Sequence, residues 1–419
     1  MEDPRRRLSD ADKMVLERLC AVGNAWVVGG WIRDLLSGLE PKEVDYATSL
    51  KPRDVVKLFP RNIPIGEKYG TIMVLADVKP KKTDKKEDSW EVTTLRRDGS
   101  YGDGRRPENV EFGLDIENDL ARRDFTINAM AIDGSSGELI DPFSGQEDLA
   151  NGILRAVGDA DERISEDGLR ILRAFRFLDS KNGSIRNLDE DLSNAIRKNV
   201  IMLENVSEER KWNELAKIIS SQNATPILLS MKEHGVLSEV LPDVLISSVG
   251  RKNLSGDPSV RLALLCNNDP RSGPELASYL KSKLKFSNEE EKTISFLHDI
   301  PKNAIKDQSN STLRRFRVCL SREMQFKVAC YFGSEGADYL KMSQKLSESK
   351  AGFSPIIDGE TLMTVTGLKP GPRLGRLKEW LHRKQIEEDL VSDEEVIGLL
   401  ETINWKEEDP RSWRPLSWP

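Results

Sequence analysis

The feature that most constrains the fold is a change of hydrophobic pattern near residue 155. Before that point, short runs of apolar residues typical of strands alternate with stretches of helical spacing. From about residue 160 onward, apolar residues recur at helical spacing and the strand pattern nearly vanishes. The sequence therefore predicts a mixed α+β domain followed by a helical part, and its 419 residues allow two or more domains of roughly 100–200 residues each.

Individual elements follow from hydrophobic spacing and from residues that begin or end helices. The predicted strands are 25–30, 71–77, 90–95 and 109–112. The predicted helices are 9–22, 31–38, 52–59 and 117–131 in the first part, and 168–178, 191–200, 208–220, 224–237, 259–266, 274–285, 288–299, 311–319, 373–388 and 393–403 in the second. The fold class is therefore α+β: a head with a small mixed β-sheet, followed by an elongated all-α arm.

Composition excludes several classes of protein. The four cysteines are scattered and form no CxxC pair, which argues against a zinc site or a disulfide framework and fits a cytoplasmic environment. Only three histidines occur, too few for a histidine-rich metal site. No apolar run approaches the roughly 20 residues of a membrane span, and the charged N-terminus lacks the apolar core of a signal peptide. We expect no membrane partner.

The formal net charge of −7 argues against a protein that coats nucleic acid without specificity. It leaves room for a local basic face, the usual electrostatic footprint of nucleic-acid binding. Candidates for such a face are Lys281, Lys283, Lys285, Arg314, Arg315 and Arg317. The basic run 79–88 lies between two predicted strands and is more simply a solvated loop.

A predicted strand runs directly into Gly29 and Gly30, where a helix is predicted to begin. Glycines let the backbone approach a phosphate, and the free N–H groups of a helix N-terminus favour anions. Arg33 lies on the first turn and can point at the same anion. Taken alone, the segment VVGGWIRD is more often a structural turn than a phosphate site.

Three carboxylates follow in two segments. Glu43 and Asp45 are two residues apart, so on a strand they would face the same side. Glu91 lies in an otherwise apolar predicted strand, where a buried carboxylate is costly unless it is paired or metal-bound. Converging from two strands, the three acids could bind two Mg²⁺ ions and support nucleotidyl transfer. The alternative is a set of ordinary surface acids, with Glu91 on an edge strand that faces water.

Two further segments combine arginines with acids. In DLARRDFTINAMAID, Asp124 and Asn128 are predicted to share a helix face beside Arg123, which suits a clamp for phosphate and ribose. In ISEDGLRILRAFRF, Asp167 and Arg170 are predicted to be neighbours on a helix, where they could bind the edge of a base. The alternatives are a helix-terminal ion pair and a plain amphipathic helix.

The second of these segments also carries an arginine stripe. Arg170, Arg173 and Arg176 recur every three residues and form a predicted ridge that faces an anion. Leu169, Ile171, Leu172 and Phe175 supply the packing side of the same predicted helix.

Together and in order, these segments resemble the class II tRNA nucleotidyltransferase family, the bacterial and eukaryotic CCA-adding enzymes. The likeness is dense over 26–178, in VVGGWIRD, KEVDYATS, GEKYGTIMV, WEVTTLRRDGSYGDGRRPENVEF, DLARRDFTINAMAID, DPFSGQEDL and RISEDGLRILRAFRF. It is weaker over 206–215, loose over 216–350, and returns over 358–389. Several motifs in series are far more specific than any one of them.

The resemblance implies a catalytic head (1–155), a helical neck with the base-recognition helix (156–240), a body (241–350) and a tail that binds tRNA (351–419). It implies that Glu43 and Asp45 bind two Mg²⁺ ions and that Glu91 assists as a third carboxylate. Glu43, Gly168 and Tyr69 stand where the family usually has Asp, Pro and His. The implied nucleotide-binding residues are Gly29, Gly30 and Arg33 for phosphates, Arg123, Asp124 and Asn128 for phosphate and ribose, Asp167 and Arg170 for choosing ATP and CTP over GTP and UTP, and Arg173 and Arg176 for supporting that helix and the phosphates.

The implied function is template-independent addition of C, C and A to the 3′ end of tRNA from CTP and ATP. One alternative is an enzyme that adds only A; a CC-only enzyme is disfavoured because the loop at 97–107, whose loss marks those enzymes, is present. Another is a bacterial poly(A) polymerase, which shares the head but usually has a basic C-terminal tail. A non-catalytic RNA-binding relative would need none of the acids at 43, 45 and 91.

Overall fold

The computed structural model describes residues 3–66, 70–76, 88–98, 110–113, 115–180, 183–247, 256–347 and 349–419. The chain divides into two compact units. The first comprises Met1–Asp243 with Lys283–Lys285, and the second comprises Val244–Ser282 and Phe286–Pro419. Residues 99–107 of the loop predicted at 97–107, most of the basic run 79–88, and Tyr69 lie outside the described residues, whereas the first two residues of that predicted loop belong to a strand that ends at Asp98.

The first unit is built on a mixed β-sheet. Its strands in the described chain are β1 (Ala25–Val28), β2 (Asp45–Thr48), β3 (Asn62–Gly66), β4 (Thr71–Leu75), β5 (Ser89–Thr94), β6 (Arg96–Asp98), β7 (Val110–Phe112), β8 (Ala131–Asp133), β9 (Leu139–Ile140), β10 (Ile153–Leu154) and β11 (Asn187–Leu188). Among the residues described, seven of them form one sheet in the order β3-β4-β5-β2-β1-β8-β9. The β2–β5 pair is parallel, whereas the other neighbours in that sheet are antiparallel. The four predicted strands are confirmed as β1, β4, β5 and β7.

The main sheet has an apolar cluster on each face, because alternate strand residues point to opposite sides. Val27 and Tyr46 belong to one cluster, which packs against the helix predicted at 9–22. Trp26, Val28 and Ala47 belong to the cluster on the other face. Asp45 is two residues before Ala47 and directly opposite Val28, so its side chain leaves β2 on the face of the second cluster.

The helices of the first unit are α1 (Asp10–Cys20), α2 (Gly30–Leu36), α3 (Pro52–Leu58), α4 (Ile116–Ala121), α5 (Gly145–Asn151), α6 (Ala160–Glu166), α7 (Leu169–Leu178), α8 (Glu190–Asn199), α9 (Glu208–Ile219), α10 (Ala224–Glu233) and α11 (Val236–Val240). Ser9 forms a capping box with Asp12 at the start of α1, and Pro52 occupies the first turn of α3. The single helix predicted over 224–237 is wrong, because the chain breaks at Gly235 between α10 and α11.

The helix predicted over 117–131 is also wrong beyond its first part. Helix α4 ends at Ala121, and a short 3₁₀ turn and strand β8 follow. The backbone at Asp124 and Thr126 instead bonds to the segment 155–157, since Thr126 N–H donates to Arg155 O and Val157 N–H donates to Asp124 O. These tertiary hydrogen bonds outweigh a helical propensity that the local sequence alone would satisfy.

The second unit is helical in its described residues. Its helices are α12 (Pro258–Leu265), α13 (Gly273–Leu284), α14 (Asn288–Asp299), α15 (Asn310–Cys319), α16 (Arg322–Phe332), α17 (Ser334–Lys345), α18 (Gly359–Thr366), α19 (Pro372–Glu388) and α20 (Asp393–Gly398). Leu362, Leu377, Leu381 and Trp413 lie in an apolar cluster of its last part. No described helix combines the length and apolar character that crossing a membrane requires. The α+β head followed by helices is confirmed.

Candidate active site

The carboxylates of Asp45 and Glu91 extend from adjacent strands. Asp45 opens β2 and is the register partner of Glu91 on the parallel strand β5, and residues in register project from the same face of a sheet. Both residues are exposed to solvent. The prediction that Glu91 is buried is therefore wrong. It does not lie on an edge strand either, since β5 has β4 and β2 as neighbours.

Glu43 approaches the same region by a different backbone path. Strand β2 begins only at Asp45, so the prediction that Glu43 and Asp45 share a face of one strand is wrong. Glu43 is exposed, and it contributes the weakest of the charges that act on Asp45. The structure thus brings Asp45 and Glu91 together by strand pairing, with Glu43 as a more distant acid on an irregular segment.

The acid pair carries an electrostatic cost. Burial of part of the carboxylate, followed by the negative charge of Glu91, raises the pKa of Asp45 to about 6; Arg123 opposes this rise and Glu43 adds to it. A divalent cation would remove that cost, and carboxylate oxygens suit Mg²⁺. The two side chains therefore fit a cation. The described residues nevertheless contain no group of three or more His, Cys, Asp or Glu side chains placed to hold a metal.

Gly29 forms the turn between β1 and α2 with φ +78° and ψ −134°. A Cβ at this position would lie 3.1 Å from Arg123 Nη1 and 3.8 Å from Asp45 Oδ2. A side chain would therefore be strained by the backbone and would enter the space between the acid and the guanidinium. Gly30 is the first residue of α2, and a Cβ there would lie 3.4 Å from Arg33 Nη2.

Arg33 is buried and folds back toward the start of its own helix. Its Nη1 donates to Asn128 Oδ1 at 2.7 Å, and its Nη2 donates to Asp34 Oδ1 at 2.6 Å. Its guanidinium also lies 5.0 Å from the centroid of the Phe177 ring. Arg33 is therefore fixed beside the Gly29–Gly30 turn by contacts that the chain itself supplies.

Arg123 and Asp119 connect the region of the Gly29–Gly30 turn to α4. Asp119 is fully buried and accepts hydrogen bonds from Arg122 at 2.9 and 2.7 Å and from Arg123 at 3.3 Å. Burial alone would raise the pKa of Asp119, but the charges and hydrogen bonds of the two arginines lower it overall. Asp119 thus orients Arg123, whose Nη1 donates to Asn128 O at 3.3 Å.

Asp124 connects the head segment to helix α7. Its Oδ1 accepts from Asn128 Nδ2 at 3.1 Å, and its Oδ2 accepts from Arg173 Nε at 2.7 Å. Burial would raise the pKa of Asp124, yet Arg173 and these hydrogen bonds lower it overall. The predicted proximity of Asp124 and Asn128 is confirmed, although they lie on a turn rather than on one helix.

Asp167 and Arg170 do not share a helix, so that prediction is wrong. Asp167 lies in the extended link between α6 and α7, with φ −151° and ψ 106°. Its carboxylate binds Arg210 of α9, with Nη2 to Oδ2 at 2.6 Å and Nη1 to Oδ1 at 3.3 Å. Arg170 is buried and ion-pairs with Glu166.

The link that carries Asp167 requires a glycine at its next position. A Cβ at Gly168 would lie 2.3 Å from the carbonyl oxygen of Met202, closer than van der Waals contact permits. Asp167 Oδ1 also accepts from Leu169 N at 3.0 Å, which fixes the carboxylate at the start of α7. The departure from the usual proline at 168 therefore has a packing reason in this chain.

The arginine stripe of α7 is neutralised along its length. Arg173 pairs with Asp124, and Arg176 Nε donates to Glu214 Oε2 at 2.5 Å. Arg176 also lies 4.0 Å from the centroid of the Phe177 ring. The predicted packing side is confirmed, because Leu169, Ile171, Leu172 and Phe175 are all buried.

Sequence reasoning missed the partners of the predicted residues. Glu166, Arg210, Asp119 and Glu214 hold Arg170, Asp167, Arg123 and Arg176, respectively. The two acids of α4 and α9, Asp119 and Glu214, are buried and paired with arginines, yet nothing local in the sequence distinguishes them from surface acids. Arg210 and Glu214 lie in the segment 206–215, whose weak family resemblance was the one available signal.

Two family descriptions match the chain. "Poly A polymerase head domain" matches residues 25–155. "Probable RNA and SrmB- binding site of polymerase A" matches residues 187–246. The first range contains the acid pair, the Gly29–Gly30 turn and the Asp124 segment. The second contains Arg210 and Glu214.

Curated relatives and solved structures agree with these matches over most of the chain. The CCA-adding enzyme of Streptococcus thermophilus is 31% identical over 410 residues, covering 91% of this chain and 94% of the relative. The CCA-adding enzyme of Geobacillus stearothermophilus is 37% identical over 388 residues, covering 89% and 91%. The crystal structure of the Bacillus stearothermophilus CCA-adding enzyme in complex with CTP superposes with a TM-score of 0.77 at 26% identity, covering 96% of this chain and 98% of that one.

Proposed function

The chain belongs to the family of CCA-adding enzymes, and we propose that it adds C, C and A without a template to the 3′ end of tRNA from CTP and ATP. It is a nucleotidyltransferase. The observation that carries the proposal is one continuous set of contacts from the acid pair to helix α7. Asp45 and Arg123 flank Gly29, and Asp124, the next residue after Arg123, pairs with Arg173. A module that only binds RNA would not need Asp45 and Glu91 in register on adjacent strands.

The proposed nucleotidyl transfer takes place at the acid pair. The 3′ hydroxyl of the RNA attacks the α-phosphorus of the nucleotide, so that an O–P bond forms as the bond to pyrophosphate breaks. Asp45 and Glu91, with Glu43 as a candidate third acid, would hold two divalent cations, which acidify that hydroxyl and neutralise the triphosphate when bound. The open Gly29–Gly30 backbone and Arg33 lie where the triphosphate would meet the start of α2.

We assign ribose binding to the segment that contains Arg123, Asp124 and Asn128, and base binding to the region around the start of helix α7. Arg123, Asp124 and Asn128 form a prearranged set of donors and acceptors for phosphate and ribose hydroxyls. Because Arg173 and Arg176 already have carboxylate partners, Arg173 stabilises the position of α7 against the head, and Arg176 stabilises it against α9. Their role in this proposal is to fix the helix that carries Arg170.

Asp167 and Arg170 are proposed to choose the base. Cytosine and adenine each offer an amino donor beside a ring-nitrogen acceptor, whereas uracil and guanine offer a carbonyl acceptor beside a ring N–H donor. A carboxylate acceptor and a guanidinium donor therefore match CTP and ATP and oppose UTP and GTP. Glu166 and Arg210 hold the two side chains separately, so the choice depends on a geometry that α6, α7 and α9 impose together.

A groove in the second unit supports binding of the RNA body. Its volume is about 930 Å³, and its lining includes Arg314, Arg317 and Arg322 together with Phe326 and Phe353. The two phenylalanines are 58% and 74% exposed, which is unusual for large apolar side chains without a partner. Guanidinium groups beside exposed rings suit phosphates and unstacked bases. The division into head, neck, body and tail, with tRNA bound by residues 351–419, is part of this proposal.

The role of the groove is tested by Phe353→Ala and Arg322→Ala. Each should raise the dissociation constant for tRNA about tenfold. Arg322→Ala should also reduce the slope of log affinity against log salt concentration by the amount expected for about one phosphate contact. Arg53→Ala is the matched control, because this exposed arginine of α3 pairs with Asp54 and lies outside both the groove and residues 351–419. Equal tRNA affinity in all three variants would contradict the assignment.

The function itself is tested with tRNA transcripts that lack CCA, CA or A, each incubated with one nucleotide at a time. We expect CTP to extend the first two transcripts and ATP to extend only the third. Extension of the last transcript alone would indicate an A-adding enzyme, and long runs of A would indicate a poly(A) polymerase. No incorporation by folded protein with Mg²⁺ would indicate a relative that only binds RNA.

A further inference from the structure

A second polar cavity lies in the first unit, beside the predicted nucleotide site. Its volume is about 270 Å³, and we call it the arginine cavity after its principal lining residues, which are Arg33, Asp34, Arg176, Arg186, Lys217 and Ser221. They come from α2, from the end of α7, from the residue before β11, and from the end of α9 and just beyond. No motif in the sequence pointed to Arg186, Lys217 or Ser221.

The charges of the arginine cavity are not balanced by its own acids. Arg33 pairs with Asp34, whereas Arg176 and Lys217 share one carboxylate, that of Glu214, at 2.5 and 3.3 Å. Asp179 also lines the cavity, so in the described chain its four cationic side chains are set against three carboxylates: Asp34 and Asp179 in the lining, and Glu214 outside it. The cavity therefore keeps an excess of positive charge that a bound anion would neutralise.

Within the part of the chain that the structure describes, Arg186 has no acidic hydrogen-bond partner. It is 6% exposed, and its Nη1 donates only to backbone oxygens, those of Phe177 at 2.8 Å and Asp179 at 3.3 Å. Burial and then the nearby charge of Arg33 lower the pKa of Arg186, although Asp179 and Asp34 act in the opposite direction. A buried guanidinium that has no carboxylate hydrogen-bonded to it is costly unless a ligand completes it.

A hydroxyl donor and an aromatic ring complete the lining. Ser221 Oγ is buried and has no hydrogen-bond partner within the described chain, which is an expensive arrangement for a hydroxyl that meets no ligand. The ring of Phe177 lies 5.0 Å from the guanidinium of Arg33 and 4.0 Å from that of Arg176. Stacking on one ring restricts where these two groups can point, so the cavity is prearranged for an anion.

We infer that the arginine cavity binds a phosphate group, with Arg186, Lys217 and Ser221 as its specific ligands. The inference extends the proposed function, since Arg33 lines the cavity and is also assigned to the nucleotide triphosphate. Two sources can supply this group: the pyrophosphate portion of the nucleotide or its released product, and the sugar–phosphate backbone of the RNA. Guanidinium and hydroxyl donors would bind the pyrophosphate group and the RNA backbone in the same way, through hydrogen bonds to phosphate oxygens.

The test compares Arg186→Met and Lys217→Met with wild type in the full-length protein. Inorganic pyrophosphate is titrated by calorimetry in EDTA, so that binding does not depend on a metal at Asp45. tRNA affinity is measured separately as a function of salt. Lys198→Met is the matched control, because this exposed lysine pairs with Asp161 and lies outside the cavity.

If the ligand is pyrophosphate, its dissociation constant should rise about tenfold in Arg186→Met and less in Lys217→Met, with tRNA affinity unchanged. If the ligand is the RNA backbone, tRNA affinity and its salt slope should fall instead. Wild-type values for both ligands in Lys217→Met and in a folded Arg186→Met or Arg186→Gln variant would overturn the inference. Lys217 is half exposed, so its replacement leaves a folded protein even if replacement of the buried Arg186 does not.

This test is independent of the proposed function. Pyrophosphate binding that requires Arg186, in a protein that adds no nucleotide to any tRNA transcript, would sustain the cavity and refute CCA addition. Normal CCA addition, with pyrophosphate and tRNA binding unchanged in every cavity variant, would sustain the proposed function and refute phosphate binding in the cavity.

Discussion

The two ends of the proposed nucleotide site differ in how their charges are compensated. At the acid pair, Asp45 and Glu91 face each other in register on adjacent strands, and Arg123 is the cation that acts on Asp45. Along α7, each arginine of the stripe pairs with a carboxylate. One end is left with unfavourable like charges, while the other is satisfied within the protein.

This difference indicates what each end needs from a ligand. The acid pair gains most from a cation, because binding offsets the burial and the repulsion by Glu91 that together raise the pKa of Asp45. The part of α7 that carries Arg170 and Arg173 gains little from an added charge, since these two arginines already pair with Glu166 and Asp124. It instead supplies fixed geometry, which is what discrimination between bases requires. Activity should therefore depend mainly on the acid pair, and selectivity mainly on α7.

The largest expected effect comes from Asp45→Ala. Removing one of the two paired acids should lower nucleotide incorporation by about 10³-fold or more, because cation binding is lost and the triphosphate is left uncompensated. tRNA binding should stay near its wild-type value. Primer extension and filter binding measure the two quantities, and Glu40→Gln serves as a control on a nearby exposed acid. Unchanged turnover in Asp45→Ala would remove the metal assignment.

Arg170→Ala should act on selectivity rather than on metal-dependent chemistry. We expect the preference for CTP and ATP over UTP and GTP to fall by about 10- to 100-fold, which corresponds to one strong base-edge contact. The variant should also lose about 1–3 kcal/mol of stability, because the ion pair of the buried Arg170 with Glu166 and its hydrogen bonds to the carbonyl oxygens of Arg163 and Arg122 would be lost. An incorporation assay with each of the four nucleotides measures the preference. Retention of full selectivity by folded protein would show that α7 does not bind the base.

Arg210→Ala should have a smaller effect of the same kind. Arg210 positions Asp167 through two hydrogen bonds, so its loss should reduce selectivity about tenfold while turnover with CTP changes less. Arg210→Lys should rescue only part of this, because an ammonium cannot reproduce the bidentate geometry. A purely structural role would instead lower turnover with all four nucleotides equally, and both variants would then show wild-type preference.

The same comparison shows what the sequence could predict. The strands of the acid pair, the Gly29–Gly30 turn and the packing side of α7 follow from local patterns of two to four residues. The neighbours of the predicted residues do not. Asp167 pairs with Arg210 and Asp124 with Arg173, across 43 and 49 residues, and no local spacing encodes such contacts.

The errors have the same physical cause. The segment after Ala121 has helical spacing, but its backbone bonds to residues 155–157 instead. Asp167 and Arg170 have helical spacing, but α6 ends at Glu166 and α7 begins only at Leu169. In both places, tertiary contacts decided the backbone where local propensity was nearly balanced. These places coincide with the proposed site, as expected where function imposes its own geometry.

The smallest expected effect is on the thermal stability of the protein. Measuring it tests the acid pair without a catalytic reaction. The pKa of Asp45 is about 6 in the folded protein and 3.8 as its ordinary value, so the folded state holds this proton more tightly than the unfolded state. The stabilising contribution is therefore complete below about pH 4 and is lost as the pH rises through 6.

Asp45→Asn removes that titration. Without metal, its melting temperature should match wild type near pH 4 and exceed it by about 1–3 °C above pH 7, a modest difference because the side chain is solvent-accessible. Added Mg²⁺ should stabilise wild type at high pH and leave Asp45→Asn nearly unchanged. Differential scanning fluorimetry from pH 4 to 8 measures both. A melting difference that stays constant across this range would show that neither burial nor Glu91 raises the pKa of Asp45, and the contrast between the two ends of the site would then have no electrostatic basis.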